Sequence, residues 1–235
     1  MRKKTLFYIS VVLMACFSLN SLLAQEIQTA QNFFQSISEY YANITDYEAD
    51  LEIRAGSQNM SAKVSFKKPN LLRIDFSRPD TQVILFNGSL LTIYLPGSSA
   101  VLTQSVSKDS GAAGGANLAT PQGLNLMSRY YIISYAEKNT PVTLDDLEKN
   151  PNGSSEMVMK LLLSRRNASE GFRTIVLSIN PTTKLIRRVE ATTPANESFV
   201  FTFYNYAINQ KIPDTRFIYD SPGTANTYNN FLFTE

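Results

Sequence analysis

Apolar and polar positions alternate with a period of two through much of the chain, the signature of half-buried β-strands. Tyr47, Ala49, Leu51, Ile53 and Ala55 oppose Glu48, Asp50, Glu52 and Arg54. After Gly56-Ser57-Gln58-Asn59, Met60, Ala62, Val64 and Phe66 oppose Ser61, Lys63, Ser65 and Lys67. Lys67-Lys68-Pro69-Asn70 interrupts the run, because proline brings no N–H to a ladder and pushes its predecessor toward extended or turn geometry. Leu72, Ile74 and Phe76 then alternate with Arg73 and Asp75. Beyond Arg78-Pro79-Asp80, residues 82–86 meet 90–95 across Asn87-Gly88, a strong hairpin signal. Residues 60–95 are therefore expected to form four antiparallel strands in direct succession.

Two stretches carry a helical period instead. Ile27, Ala30, Phe34, Ile37 and Tyr41 recur at spacings of three and four, which lines them up on one face of a helix over 25–42. Residues 118–131 predict a shorter helix with Leu124, Met127 and Tyr131 on one side, suited to packing or to a movable cover. Between these lie a strand around Val101 and Gly111-Ala112-Ala113-Gly114-Gly115, which lacks phosphate-loop spacing and reads as a surface loop. Residues 143–147 predict a single turn or short helix, and Pro151-Asn152-Gly153 a tight turn. Strands are expected over 157–164, 172–179, 185–191 and 199–206, with turn-rich joints and no crossover helices. That order favours a meandering antiparallel sheet over an α/β fold, in a mostly β (α+β) single domain spanning 25–235.

The N-terminus reads as a targeting segment. Arg2, Lys3 and Lys4 precede a mostly apolar run, and Leu22-Leu23-Ala24 fits a signal-peptide cleavage site, so residues 1–24 are expected to be removed on export. Leu13-Met14-Ala15-Cys16 offers a competing lipidation site at Cys16, but the apolar run continues beyond it, and cleavage after Ala24 is the preferred reading. Removing the segment leaves 19 basic against 20 acidic residues, a formal charge of −1 with no basic footprint for nucleic acid. It also removes the one cysteine from a chain without histidine, which excludes disulfides, cysteine nucleophiles, Ser-His-Asp triads and imidazole metal sites. A hydrolase built on paired carboxylates such as Asp75 and Asp80 is the enzymatic reading left, and strand edges and turns more often place such charges in solvent. Neither catalysis nor a cofactor or metal is expected.

The order of motifs resembles the LolA family of periplasmic lipoprotein carriers. The resemblance rests on Val64-Ser65-Phe66-Lys67-Lys68-Pro69-Asn70-Leu71-Leu72-Arg73, on Pro79-Asp80, and on Phe86-Asn87-Gly88 with Tyr94. Ile212-Pro213-Asp214, Phe217 and Ser221-Pro222-Gly223 extend it toward the C-terminus. It implies an incomplete antiparallel β-barrel whose apolar concavity is covered by the N-terminal helix and the short central helix. It further implies a monomer that takes acylated lipoproteins from an inner-membrane ABC-type releasing complex and passes them to the outer membrane, where a receptor can accept them. A lipid-sensing or outer-membrane acceptor protein on the same fold is the alternative, anchored if Cys16 is modified. On this resemblance Val64, Phe66, Leu72, Ile74, Phe76 and Leu85 are the candidates for acyl-chain contact. The family's arginine before Pro-Asn, which holds the helical cover closed, is here Lys68, a cation without the planar fork of donors.

Overall fold

A computed structural model describes residues 28–105, 119–144 and 156–231. The proposed signal peptide, Cys16, Ile27, the run 111–115, residues 145–147 and Pro151-Asn152-Gly153 lie outside the described residues. Helix α1, Ala30–Asn43, starts at Thr29, whose hydroxyl accepts from the Asn32 N–H at 3.1 Å and satisfies one of the free donors of the first turn. It buries Ala30, Phe33, Phe34, Ile37 and Tyr41, so the predicted stripe is present and is widened by Phe33. Helix α2, Pro121–Tyr130, is capped in the same way by Thr120, with Pro121 in the first turn where a missing N–H costs nothing.

The strands form one open sheet. Its first half comprises β1 (Asp46–Ala55), β2 (Gln58–Lys67), β3 (Leu71–Arg78), β4 (Asp80–Phe86), β5 (Leu90–Leu95) and β6 (Ala100–Ser105). The second half comprises β7 (Tyr131–Tyr135), β8 (Val142–Thr143), β9 (Met157–Arg165), β10 (Thr174–Ile179), β11 (Ile186–Thr192) and β12 (Ser198–Ile208), with β13 (Asn226–Asn229) returning to the first half. The spatial order is β13-β6-β5-β4-β3-β2-β1-β12-β11-β10-β9-β7, with β8 also on β9, so each half is a meander and the β1–β12 pairing joins them. The ends do not meet, which makes the barrel incomplete, as the resemblance to the LolA family implies, and the meandering order is the one the strand spacing predicts.

Three elements differ from expectation. Strand β7 continues directly from α2, and its Tyr131, expected on the helix, is a buried strand residue. Thr143, where the expected turn begins, pairs with β9 together with Val142 as a short strand, while residues 145–147 lie outside the described residues. Strand β13 pairs in parallel with β6, the one departure from antiparallel order among the described strands. The Asn87 turn is as expected: its side-chain carbonyl accepts from the Ser89 and Leu90 N–H groups, and Gly88 holds φ +99°. A Cβ at Gly88 would also meet the Asn70 side chain at 3.0 Å, so both conformation and space call for glycine.

Candidate functional site

The sheet has an inner face that wraps around both helices. Alternate residues of β1–β3 and of β9–β11 join α1 and α2 in one apolar cluster, in which Phe34, Ile37, Leu124, Leu161 and Leu177 are fully buried. Val64, Phe66, Leu72, Ile74 and Phe76 all lie in this cluster. Leu85 does not. It packs on the outer face with Ile212 and Phe217, while its neighbours Ile84 and Phe86 point inward. The register gives the reason: Leu72 faces Phe86 and Ile74 faces Ile84, whereas Leu85 sits opposite Arg73. Residues 83–86 are apolar on both faces, so alternation alone does not reveal which parity points inward.

The β2–β3 turn is where the covering elements meet. Lys68 Nζ donates to the Ala42 carbonyl in the last turn of α1. That turn has no basic residue of its own, so the ammonium arrives from another element to meet the negative end of the helix dipole. Next along, Gln122 of α2 donates its side-chain N–H to the Pro69 carbonyl. Asn70 donates to the Gly88 carbonyl at 3.4 Å, which ties in the β4–β5 hairpin. On the opposite side Lys67 Nζ reaches the Ile212 carbonyl at 2.7 Å and the Asp214 carboxylate at 2.5 Å. Four consecutive residues therefore hold α1, α2, a hairpin and the C-terminal segment.

That C-terminal segment straps the outer face. Arg216 pairs with Asp75 and reaches Ser65 Oγ at 3.2 Å and Glu48 at 3.6 Å. Arg73 pairs with Asp75 at 2.9 Å, donates to the carbonyls of Arg216 and Ile218 at 3.1 Å each, and lies over the Tyr219 ring. Asp75 thus spends its carboxylate on two guanidinium groups, that of Arg73 on its own strand and that of Arg216 on the strap. Asp80 begins β4 in an exposed position. Asp75 therefore has the partners of a structural clasp, and Asp80 is not part of it.

Three tyrosine hydroxyls are buried inside. Tyr41 accepts from the Ile186 N–H at 3.1 Å, Tyr206 donates to the Ile186 carbonyl at 2.9 Å, and Tyr47 donates to the Ala119 carbonyl at 3.0 Å. Loss of water around the phenolate pushes Tyr41 up to about 12 and carries Tyr47 and Tyr206 well above the ordinary tyrosine value. All three stay protonated across the physiological range. Nothing in the strand or helix periods separates these tyrosines from other inward-facing residues; the partners of Tyr41 and Tyr47 come from elements distant in sequence.

With this geometry in view, residues 52–220, more than half of the chain, match the family described as outer membrane lipoprotein carrier protein LolA. The chain belongs to the LolA family. The LolA match runs from within β1 to just past Tyr219, and so includes the β2–β3 turn, the β4–β5 hairpin and the strap. Among solved structures, an uncharacterized conserved protein from Thermus thermophilus is 14% identical, with 83% of this chain and 96% of that chain covered and a TM-score of 0.54. MucB is 8% identical, with 84% of this chain and 64% of that chain covered and a TM-score of 0.50. A LolA superfamily protein from Nitrosomonas europaea is 15% identical over 81% of this chain and 98% of that chain, with a TM-score of 0.42. At such identities the likeness is one of fold. No curated protein matches the sequence. No helix among the described residues is long and apolar enough to cross a membrane.

Proposed function

We propose that the protein is a periplasmic carrier that holds the acyl chains of a lipoprotein against its inner face. It receives them from an inner-membrane ABC-type complex and delivers them to the outer membrane, directly or through a receptor. The observation that carries this reading is the inner face itself: an open sheet whose apolar side is covered by two helices fastened by a small set of polar contacts. Membership of a family described as lipoprotein carriers supports it. Each methylene removed from water is worth about 0.8 kcal/mol, so hiding one long acyl chain is worth on the order of ten kcal/mol. That gain is of the same order as the apolar contacts of a covering helix, so an acyl chain that takes over those contacts offsets the cost of displacing it. Val64, Phe66, Leu72, Ile74 and Phe76 are the proposed contacts, and Leu85, on the outer face, supports the strap instead. Binding and release, rather than catalysis, is the chemistry this arrangement serves.

The mature protein is expected to release an acylated lipoprotein from spheroplasts as a soluble one-to-one complex. A lipoprotein that stays in the membrane pellet at every carrier concentration overturns the proposal. Lys68 gives a finer test. In Lys68→Arg the guanidinium offers more donors to the carbonyls that end α1, so the cover closes more firmly. Transfer of bound cargo to acceptor liposomes is expected to slow by about two- to fivefold. An unchanged or faster transfer removes this turn from the release step.

A further inference from the structure

The Tyr47 hydroxyl is held by an acceptor that belongs to the cover. Its partner, the Ala119 carbonyl at 3.0 Å, immediately precedes Thr120, the residue that caps α2. The far end of α2 is fixed by contrast: it runs straight into β7, and the Arg166 N–H donates to the Tyr130 carbonyl at 2.8 Å. At its near end α2 is tied by Gln122 to Pro69 and by Ala119 to Tyr47. Lifting that end turns the helix about its junction with β7 and strips Tyr47 of its acceptor. The other two buried hydroxyls differ, because Tyr41 and Tyr206 both bond the backbone of Ile186 on the sheet. Around Tyr47 stand the rings of Phe66 and Tyr206, each with its centroid at 5.4 Å.

We infer that Tyr47 is a ligand-reading residue: when α2 lifts, its hydroxyl passes from the Ala119 carbonyl to an ester carbonyl at the glyceryl end of an acylated ligand. The inference rests on the carrier reading above and adds a polar term to it. A buried hydroxyl without a partner is costly, so the opened state favours a ligand that brings an acceptor. Aromatic surroundings favour an uncharged carbonyl, since a carboxylate would lose far more hydration on entry. With the cover closed, burial holds the phenol's pKa well above the ordinary tyrosine value, so the hydroxyl stays protonated and donates. The exchange also gives the cover a chemical criterion for staying open: plain hydrocarbon fills the space but leaves the hydroxyl unsatisfied.

The test uses a synthetic dipalmitoylglyceryl-cysteine peptide and its dihexadecyl ether analogue, which has the same chains without the carbonyls. Fluorescence titration of the mature protein is expected to show the ester bound about three- to tenfold more tightly than the ether. In Tyr47→Phe the two affinities should converge, while in Tyr206→Phe the preference should persist. Equal affinities in the unaltered protein, or a preference that survives Tyr47→Phe, overturns the inference and leaves the carrier reading standing. If neither peptide binds, the carrier reading itself fails. Equal affinities in the unaltered protein overturn the inference whether or not a variant folds, and the folded state of Tyr47→Phe is checked by its urea midpoint before its two affinities are compared.

Discussion

Leu72→Glu is expected to abolish cargo binding and to lower stability by at least about 3 kcal/mol. Leu72 is 3% exposed, lies across from Phe66 and Phe86 in the ladder, and belongs to the cluster that packs against both helices. A carboxylate there either stays charged without a partner or takes up a proton, and in both cases replaces apolar contact with a group that seeks water. Loss of stability alone does not show that the residue touches cargo, so the informative comparison is Leu85→Ala. Leu85 is equally buried, on the other face, with Ile212 and Phe217. Its truncation is expected to cost about 2–4 kcal/mol, as for other buried leucines, yet to leave cargo retention intact under conditions where the variant is folded. Urea unfolding gives the stabilities, and co-elution with a lipopeptide gives the retention. Equal loss of retention in both variants would move the site away from the inner face.

The second large effect is alkaline unfolding. The folded Tyr41 hydroxyl titrates at about 12 against an ordinary value of 10.0, and Tyr47 and Tyr206 shift in the same direction through burial. Between those values the unfolded chain has released protons that the folded chain retains, so raising the pH favours unfolding. Stability from this source is complete below pH 10 and is lost as the pH rises toward 12. Tyr41 alone accounts for about 3 kcal/mol over that window, and the other two add to the same slope. Urea midpoints measured at about pH 8 and about pH 11 should differ accordingly. Midpoints that coincide would mean that these hydroxyls are in contact with water.

Much of this architecture is legible in the residues themselves. The alternation in β1, β2 and β3 identifies their inward faces because each has charged or small polar residues on the other side. Asn87-Gly88 marks its hairpin because Gly88 needs both a positive φ and room beside Asn70. In β4 the outward Leu85 is apolar because the strap covers it, so the alternation that reveals parity elsewhere is missing. Strand β7 escapes notice because it follows α2 without a turn, and its Tyr131 continues the apolar spacing of that helix. The short β13 is rich in turn-forming asparagine and owes its pairing to a distant partner, β6. The meeting of α1, α2 and the strap at residues 67–70 depends on contacts between remote parts of the chain, such as Lys67 with Asp214. Local patterns carry no such information.

The parallel strand β13 has a consequence for life at high concentration. An open sheet exposes a row of unpaired N–H and C=O groups at each margin, and a neighbouring molecule can continue that row. Here the chain occupies the β6 margin with its own Asn226–Asn229, anchored where Asn230 N–H meets the Thr103 carbonyl at 2.7 Å. Four residues, three of them small and polar, make a poor template for further strands. Pairing with β13 therefore leaves a short, polar border on that side of the open sheet, one poorly suited to recruiting a second copy edge to edge.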